Sequence, residues 1–284
     1  MKDLKKIVWL ASYPKSGNTW FRTFLTNLLS GADSPADINN LYPATIASSR
    51  LLFDEVAGIP SSDLTHDETA LLRPDVYRYL AETTHEVIYH KIHDAWIVLP
   101  NGKPLIPRDV TRAALYFIRN PLDVVISFAH HSSTTIDKTI DMMNNPDYTF
   151  CSRKTKLHNQ MRQRLLTWSM HAESWIDLSN LPVMVIRYED MLQDSFNTFK
   201  AAVDFIGIKT NHEKIRKALE FSSFGNMQEQ EKEKGFREKS AKAKSFFRKG
   251  IAGDWRNTLS GKQIEAIVTH HTDMMERFGY LPLK

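Results

Sequence analysis

The sequence predicts an α/β fold in which a central parallel sheet is flanked by helices. Short runs that are apolar on both faces are typical of buried strands, and they alternate with longer stretches of helical period. This alternation favours parallel strands joined by helical connections. A tight glycine turn between the first strand and the first helix, which resembles a P-loop, points to the same class of fold.

The elements follow in chain order. Runs that are apolar on both faces predict strands at Lys6–Ala11, Val87–Lys91, Ala114–Ile118 and Val183–Ile186. Helical spacing of apolar residues predicts helices at Thr19–Leu29, Pro74–Glu82, Leu122–His131, Asn159–Leu178, Phe196–Ile206, His212–Glu220 and Gly261–Phe278. Residues 30–69 have no clear period and are predicted to form loops with short helical turns. Ligands of parallel α/β folds bind beyond the carboxyl ends of the strands, so the site is expected there.

Composition restricts the class of protein. The 284 residues contain no internal repeat and no Gly/Ser or Pro-rich linker, which predicts one domain over residues 1–284. Cys151 is the single cysteine, which excludes a disulfide framework and a multi-cysteine metal site. No run of about 18 apolar residues is present and the N-terminus does not resemble a secretory signal, so we expect a cytoplasmic protein without a membrane segment. The net charge of +4 suits an anionic ligand as well as it suits nucleic acid.

One segment differs from the rest of the chain in its charge density. Gln228–Lys249 carries many charges and irregularly spaced apolar residues. This pattern predicts a mobile surface segment that acts as a lid over a bound ligand.

The first strand is followed by the sequence SYPKSGNTW, residues 12–20. A helix N-terminus behind a glycine turn directs backbone N–H groups and the positive end of the helix dipole at an anion. Lys15 adds a full charge, and Ser16, Asn18 and Thr19 add donors. The nucleotide-kinase pattern G-x-x-x-x-G-K-[ST] is absent because Lys15 precedes Gly17, which disfavours a kinase.

Two further segments have the character of anion sites. The third strand ends at Arg119, and Pro121 then stands at the first position of a helix that carries Ser127 two turns further on. An Arg fork together with a hydroxyl group suits a phosphate, although an Arg119–Asp123 pair at the helix start is the alternative. Near the C-terminus, Arg248 and Lys249 precede glycines that allow the backbone to approach an anion closely.

Taken together, these three segments resemble the cytosolic sulfotransferase family, which uses 3'-phosphoadenosine 5'-phosphosulfate (PAPS). Tyr13–Trp20 matches the family pattern Y-P-K-[SA]-G-[TN]-T-W, Arg119–Ser127 matches its R-N-P/A-x-D-x-x-x-S pattern, and Arg248–Trp255 matches R-K-G-x-x-G-D-W. The segments at Val185–Met191 and Phe221–Met227 look like the Y-E-D and S-F-x-x-M segments of the family. The resemblance extends from Trp9 to about Asn257.

The resemblance implies roles for individual residues. Lys15, Ser16, Gly17, Asn18 and Thr19 would hold the 5'-phosphosulfate, and Trp20 would pack on the adenine. Arg119 and Ser127 would bind the 3'-phosphate, with Arg248, Lys249 and Gly250 closing over it. Tyr188, Ser222, Phe224 and Met227 would line the adenine pocket. Lys15 and Ser127 are also candidate catalytic residues.

The catalytic base is expected to be His93. The family places its histidine in a K-x-H-x-P context, which Lys91-Ile92-His93-Asp94-Ala95 matches except that Ala95 replaces proline. His90, His130 and His131 are the alternatives. Histidine suits the role because its ordinary pKa lies near neutral pH.

The expected reaction is in-line transfer of a sulfuryl group from PAPS to a hydroxyl or amine of a small-molecule alcohol, phenol or amine, with 3',5'-ADP as the other product. No carboxylate cluster demands a metal, and we expect none to be required. The alternatives are a nucleotide-kinase-like phosphotransferase and a non-catalytic nucleotide or nucleic-acid binder, although basic residues 237–249 contain few interleaved aromatics and we expect no nucleic-acid partner. Residues 256–265 depart from the family's dimer segment, so we expect a monomer or a weak homodimer.

Overall fold

The computed structural model describes residues 5–42, 46–153, 156–241 and 243–282. Residue 242 of the predicted lid and the two ends of the predicted domain lie outside these ranges. The chain forms two compact units. The first contains residues up to Tyr13 together with Thr45–Tyr116 and Asn145–Val185, and the second contains Pro14–Ala44, Phe117–Asn144 and the chain from Ile186 onward.

The helices are α1 (Asn18–Ser30), α2 (Arg50–Ala57), α3 (His66–Thr83), α4 (Pro121–Ser132), α5 (Ile136–Asn144), α6 (Trp168–Glu173), α7 (Tyr188–Gln193), α8 (Ser195–Phe205), α9 (His212–Phe221), α10 (Phe224–Lys234) and α11 (Gly261–Arg277). The strands are β1 (Ile7–Ser12), β2 (Ile88–Ile92), β3 (Thr111–Ile118), β4 (Thr149–Phe150), β5 (Gln163–Arg164) and β6 (Val183–Arg187). Short 3₁₀ turns lie at Ile38–Asn40, Ser61–Asp63 and Asp254–Asn257, and a π-helical turn follows α6 at Ser174–Leu178.

The central sheet has the strand order β2-β1-β3-β6, with β1 and β2 parallel and Trp9 opposite His90. All six residues of β1 are buried, as expected for a strand covered on both faces. The predicted class, a parallel sheet flanked by helices, is confirmed, and all four predicted strands are present. That the chain is one domain stays a prediction.

In the first unit, the helix predictions hold in part. The helix predicted at Pro74–Glu82 is the second half of α3, which begins earlier because Thr65 and Glu68 form a capping box. The prediction at Asn159–Leu178 is wrong in its first half. There β5 pairs with β4, and Leu166 has a left-handed backbone (φ +59°). Helix α6 begins only at Trp168, with Thr167 as its N-cap, whose side chain accepts a hydrogen bond from the Met170 N–H.

In the second unit, α1 packs on α9, α7 on α8, and α11 on both α4 and α5. Phe199 forms the aromatic core with Phe21 and Phe24, at ring-centroid distances of 5.4 and 4.7 Å. The sequence prediction missed α10, whose N-cap is the Ser223 hydroxyl, because its dense charges hide any apolar stripe. Mobility of residues 228–249 stays a prediction. Within the described ranges, no helix is long and apolar enough to cross a membrane.

Candidate anion site and candidate base

The loop Pro14–Gly17, which we call the β1–α1 loop, has a backbone conformation that residues other than glycine rarely adopt. Lys15 has φ +71° and Gly17, the N-cap of α1, has φ +100°. A Cβ on Gly17 would lie 2.8 Å from Cδ2 of Tyr188, so a side chain there is excluded by contact as well as by conformation. No side chain of the described residues caps α1, and no acidic residue stands in its first turn. The positive end of the helix dipole is therefore directed at this loop without a carboxylate to neutralise it.

At the start of α1, the buried hydroxyl oxygen of Ser16 and the buried indole Nε1 of Trp20 have no hydrogen-bond partner among the described residues. Ser16 is fully buried. Because buried polar groups nearly always have partners, such atoms at a helix N-terminus indicate a place where a ligand completes the site. Asn18 is buried and Thr19 is half-buried on the same turn.

The Lys15 ammonium lies 3.7 Å from the centroid of the Phe246 ring, a cation–π contact. The position of Phe246 is fixed from α10, because the Glu231 carboxylate accepts the N–H groups of Phe246 and Phe247 at 2.6 and 2.9 Å. The resemblance had not assigned Phe246 a role. Its place two residues before the Arg-Lys-Gly motif is the sequence signal that could have identified it.

Arg119 connects two of the predicted anion-binding segments. Its Nη1 donates to the Lys15 carbonyl at 3.3 Å and its Nη2 to the Ile251 carbonyl at 2.8 Å. The guanidinium carbon lies 4.2 Å from the centroid of the Tyr188 ring. Arg119 is 9% exposed, and its Nε has no hydrogen-bond partner in the described part of the chain. A buried guanidinium whose Nε–H is unused is suited to a ligand anion.

Asp123 does not pair with Arg119, contrary to the alternative that the sequence left open. Its carboxylate accepts the N–H of Gly253 at 2.6 Å and the N–H of Trp255 at 3.1 Å. Asp123 is 2% exposed and fixes the end of the Arg-Lys-Gly segment by these two bonds. Ser127 is half-buried on α4, and no described residue hydrogen-bonds to its hydroxyl or joins it to Arg119.

The two cations of the Arg-Lys-Gly segment share one buried carboxylate. Arg248 Nη2 and Lys249 Nζ each lie 2.6 Å from an oxygen of Asp254, whose side chain is 5% exposed. Burial opposes ionisation, but the hydrogen bonds from Lys249 and Arg248 hold the pKa of Asp254 below its ordinary value. Gly250 has φ +65°, and a Cβ there would meet the Phe224 ring at 2.5 Å. The backbone of this segment therefore lies directly on that ring.

The predicted adenine-side residues fall into two groups in the second unit. Trp20 and Phe224 pack with Met227 on one apolar cluster, whereas Tyr188 contacts Arg119 and lies edge-on to Trp20 at 6.2 Å. Ser222 is fully buried at the end of α9 and donates to the Leu219 carbonyl at 3.2 Å.

His93, the predicted base, follows β2 in the first unit. Its Nδ1 lies 2.8 Å from the Ser12 carbonyl oxygen and 3.3 Å from the Ser12 hydroxyl. Because a carbonyl can only accept, Nδ1 carries the proton, and in the neutral ring the lone pair is on Nε2.

The alternative histidines have other contacts. His90 is 3% exposed and stacks on Trp9 at a ring distance of 5.7 Å. The His130 Nε2 donates to the Ser245 carbonyl at 2.9 Å, and His131 lies edge-on to Phe246 at 6.1 Å. His130 and His131 therefore pack on residues 245–246. In the parts of the chain that the structure describes, no group of three or more His, Cys, Asp or Glu side chains could hold a metal ion.

The fold and these motifs define a sulfotransferase domain. The family model described as "Sulfotransferase domain" matches residues 5–279, and the chain belongs to that family. Sulfotransferase 2A6 of Rattus norvegicus is 30% identical over 165 residues, which are 54% of this chain and 52% of that protein. The alignment therefore spans about half of that relative's length. Flavonol 3-sulfotransferase of Flaveria bidentis is 24% identical over 276 residues, or 92% of this chain and 78% of the plant protein.

Solved structures share the fold. Retinol dehydratase, in a complex with androsterone and the inactive cofactor PAP, superposes with a TM-score of 0.62 at 18% identity, covering 96% of this chain and 81% of that one. Mouse sulfotransferase SULT7A1 complexed with PAP superposes with a TM-score of 0.59 at 20% identity, covering 96% of this chain and 85% of that one.

Proposed function

We propose that this protein is a sulfotransferase that moves a sulfuryl group from PAPS to a hydroxyl or amine of a small-molecule acceptor. The observation that carries the proposal is a set of buried polar atoms without hydrogen-bond partners among the described residues: Ser16 Oγ and Trp20 Nε1 at the start of α1, which no described side chain caps, and Arg119 Nε after β3. Membership of the sulfotransferase family and the PAP in the complexes of the structural neighbours support the same donor.

The residues present fit a nucleotide that carries phosphate groups at both ends. The β1–α1 loop offers a helix dipole, the Ser16 hydroxyl and the Lys15 ammonium to one anionic group. Arg119, Arg248 and Lys249 offer three cations to a second one. At Gly17 and Gly250 a side chain would collide with the rings of Tyr188 and Phe224, which lie against the backbone of these segments. ATP lacks a 3'-phosphate and would therefore have no group to place at the second anion site.

When bound, PAPS supplies the sulfuryl group and leaves as 3',5'-ADP. Lys15 neutralises negative charge that develops on the leaving phosphate oxygen, and the N-terminus of α1 stabilises the same charge. Arg119, Ser127, Arg248, Lys249 and Gly250 hold the 3'-phosphate and so fix the position of the donor. Trp20, Tyr188, Ser222, Phe224 and Met227 form the adenine side, and Asn18 and Thr19 add donors at the phosphosulfate end.

His93 is the general base in this proposal. As the acceptor oxygen or nitrogen forms its bond to sulfur, its proton passes to Nε2, where the lone pair lies when Nδ1 donates to Ser12. An aliphatic alcohol needs this help because its hydroxyl ionises at very high pH. A phenol ionises more easily and depends less on a base.

The acceptor is proposed to be a small alcohol, phenol or amine. Relatives carry the names of such compounds: one is a flavonol sulfotransferase, and the retinol dehydratase structures contain androsterone or retinol. We further propose that the protein acts in the cytoplasm as a monomer or weak homodimer, without nucleic acid, membrane or metal.

The proposal is tested by incubating the protein with PAPS and a panel of aliphatic alcohols, phenols and amines, and following formation of 3',5'-ADP. Acceptor-dependent product is expected, and none with any acceptor would contradict the proposal. His93→Ala should reduce turnover of alcohols more than that of acidic phenols, and an equal loss on both would contradict the base assignment. Lys15→Ala should lower kcat beyond its effect on PAPS affinity, and a change in affinity alone would restrict Lys15 to binding.

A further inference from the structure

His93 belongs to a closed ring of hydrogen bonds within the first unit. Its Nδ1 donates to the Ser12 carbonyl at 2.8 Å, and its own carbonyl lies 3.1 Å from Nε2 of His171. The other imidazole nitrogen of His171, Nδ1, lies 2.8 Å from the Tyr116 hydroxyl. That hydroxyl also accepts a hydrogen bond from the backbone N–H of Tyr13. Because Ser12 and Tyr13 are adjacent in the chain, the four bonds close on themselves. We call this arrangement the His93 ring.

The direction of every bond in the His93 ring is determined by chemistry. His171 is fully buried, and burial lowers its pKa to about 4, so it is neutral near pH 7. Its Nε2 faces a carbonyl oxygen and therefore carries the proton, which leaves Nδ1 as an acceptor for the Tyr116 O–H. Burial raises the pKa of Tyr116 well above its ordinary value, so its hydroxyl keeps the proton that it donates.

The backbone around His93 is held at a second point by the same part of the chain. The indole Nε1 of Trp175 donates to the Asp94 carbonyl at 3.0 Å, one residue after the bond from His171. The Asp94 carboxylate pairs with Arg73, and both side chains are 2% exposed. Two successive carbonyls, those of His93 and Asp94, thus each receive a buried donor. A buried histidine costs more to desolvate than an apolar side chain of similar size, and here hydrogen bonds at both ring nitrogens of His171 offset that cost.

We propose that His171 is a positioning residue for His93: by binding the His93 carbonyl it holds the imidazole against the Ser12 carbonyl, which in turn sets the tautomer that leaves the lone pair on Nε2. The inference rests on the proposed function, in which His93 is the base. Tyr116 supports His171 by fixing its tautomer: without that hydroxyl, His171 could place its proton on Nδ1 and turn a lone pair toward the His93 carbonyl. Neither residue needs to touch the acceptor to act in this way.

Three variants of the full chain test the proposal. His171→Gln keeps an N–H near the position of Nε2, whereas His171→Leu removes both nitrogen atoms of the imidazole. Tyr116→Phe removes only the hydroxyl that fixes the His171 tautomer. Each variant is compared with the wild type by the ¹⁵N chemical shifts of labelled histidine, which report the His93 tautomer directly, by kcat with an alcohol and with a phenol, and by the dissociation constant of 3',5'-ADP.

For His171→Leu we expect loss of the single His93 tautomer and an alcohol kcat about tenfold to a hundredfold lower, with 3',5'-ADP affinity unchanged. Tyr116→Phe should lower the alcohol kcat about threefold to tenfold, and His171→Gln should restore most of the activity that leucine loses. The proposal would be overturned if Tyr116→Phe and His171→Leu lowered only the stability and left both the His93 tautomer and kcat unchanged. If His171→Leu does not fold, the Tyr116→Phe and His171→Gln comparison decides.

The chemical shifts separate this inference from the function on which it rests. Should His93→Ala retain full alcohol turnover, the assignment of the base fails even where the His93 tautomer still depends on His171, and the positioning role fails with it. Should His93→Ala abolish turnover while the tautomer is insensitive to His171, the proposed function stands and only the positioning role is overturned.

Discussion

The β1–α1 loop and the His93 ring are both buried and polar, but they treat their hydrogen-bonding groups in opposite ways. At the loop and the first turn of α1, Ser16 and Trp20 have buried polar atoms without a hydrogen-bond partner among the described residues, and so does the Nε of Arg119. In the ring, each of the two His171 nitrogens has a partner within 3.1 Å. The first pattern leaves a site for a ligand to complete, and the second holds one side chain in place before any ligand arrives.

This contrast has consequences for stability. A buried polar atom without a partner destabilises the folded state by about 1 to 3 kcal/mol, whereas a satisfied buried network contributes to a single well-ordered arrangement. Substitutions at the loop should therefore reduce ligand binding with little loss of stability. Substitutions in the ring should reduce stability and leave binding of 3',5'-ADP unchanged.

The largest expected effect is the pH dependence that His171 confers. Burial lowers its pKa from 6.5 to about 4, so between these values the unfolded chain binds more protons than the folded one. The free energy of unfolding therefore has its full value above pH 6.5, and it falls by about 3 kcal/mol as the pH is lowered to about 4. His171→Gln should lack this loss, as measured by denaturant unfolding at a series of pH values. His271, whose pKa burial also lowers to about 4, should still contribute a similar slope. Identical pH profiles for the two proteins would contradict the account.

Arg119→Met sharpens the comparison from the side of the loop. Loss of charge-assisted hydrogen bonds should weaken 3',5'-ADP binding about tenfold to a hundredfold and 5'-AMP binding by a clearly smaller factor, because Arg119 acts on the β1–α1 loop only through the Lys15 carbonyl. Arg256→Met is the matched control because Arg256 is an exposed arginine over Trp255, and its loss should have little effect. Equal weakening of 3',5'-ADP and 5'-AMP would contradict the assignment of Arg119 to the 3'-phosphate. Isothermal titration measures both.

Gly250→Ala tests whether the close approach of backbone to Phe224 matters to the site. The new Cβ would lie 2.5 Å from that ring, in addition to the strain of φ +65°. Gly58→Ala is the control, since its φ is also +65° and no atom of the described residues lies within 4 Å of the new Cβ. We expect a loss of about 1 kcal/mol of stability in Gly58→Ala and about 2 to 3 kcal/mol in Gly250→Ala, together with weaker 3',5'-ADP binding only in the latter. If the two variants lost equal stability and bound 3',5'-ADP equally well, the contact between Gly250 and Phe224 would have no role in the site.

Ser16→Ala is the smallest change and the clearest contrast with the ring. Because the Ser16 hydroxyl has no partner among the described residues, its removal should leave the ligand-free unfolding free energy unchanged or raise it by about 1 kcal/mol. The stabilisation by 3',5'-ADP should fall. Ser174→Ala is the control, because its hydroxyl donates to the His171 carbonyl at 2.8 Å and receives the Trp96 N–H at 3.0 Å. That control should lose about 1 to 2 kcal/mol. A destabilised Ser16→Ala would contradict the account, and thermal unfolding with and without ligand measures both variants.

The sequence predicted those parts of the fold that depend on local pattern. The four strands of the central sheet each contain a short apolar run, and α1, α4 and α11 have clear caps or helical periods. The prediction missed α10 because its charges obscure the period, and it extended a helix across Leu166, whose left-handed backbone no sequence rule indicates. The candidate anion-binding residues could be read from motifs because each motif is continuous in the chain.

The supporting contacts could not be predicted in this way. Asp123 binds the N–H groups of Gly253 and Trp255, and His171 binds the carbonyl of His93; each joins residues far apart in the chain. A carboxylate after Arg119 looks in sequence like a partner for that arginine. Only the fold reveals that it fixes a different segment.

The most direct test of the central claim is the affinity of the wild-type protein for 3',5'-ADP, 5'-AMP and ATP, measured by isothermal titration under one set of conditions. We expect 3',5'-ADP to bind at least about tenfold more tightly than either of the others, because it alone places a phosphate at both proposed anion sites. ATP binding as tightly as 3',5'-ADP would contradict the assignment of Arg119, Arg248 and Lys249 to a 3'-phosphate and would favour the nucleotide-kinase alternative.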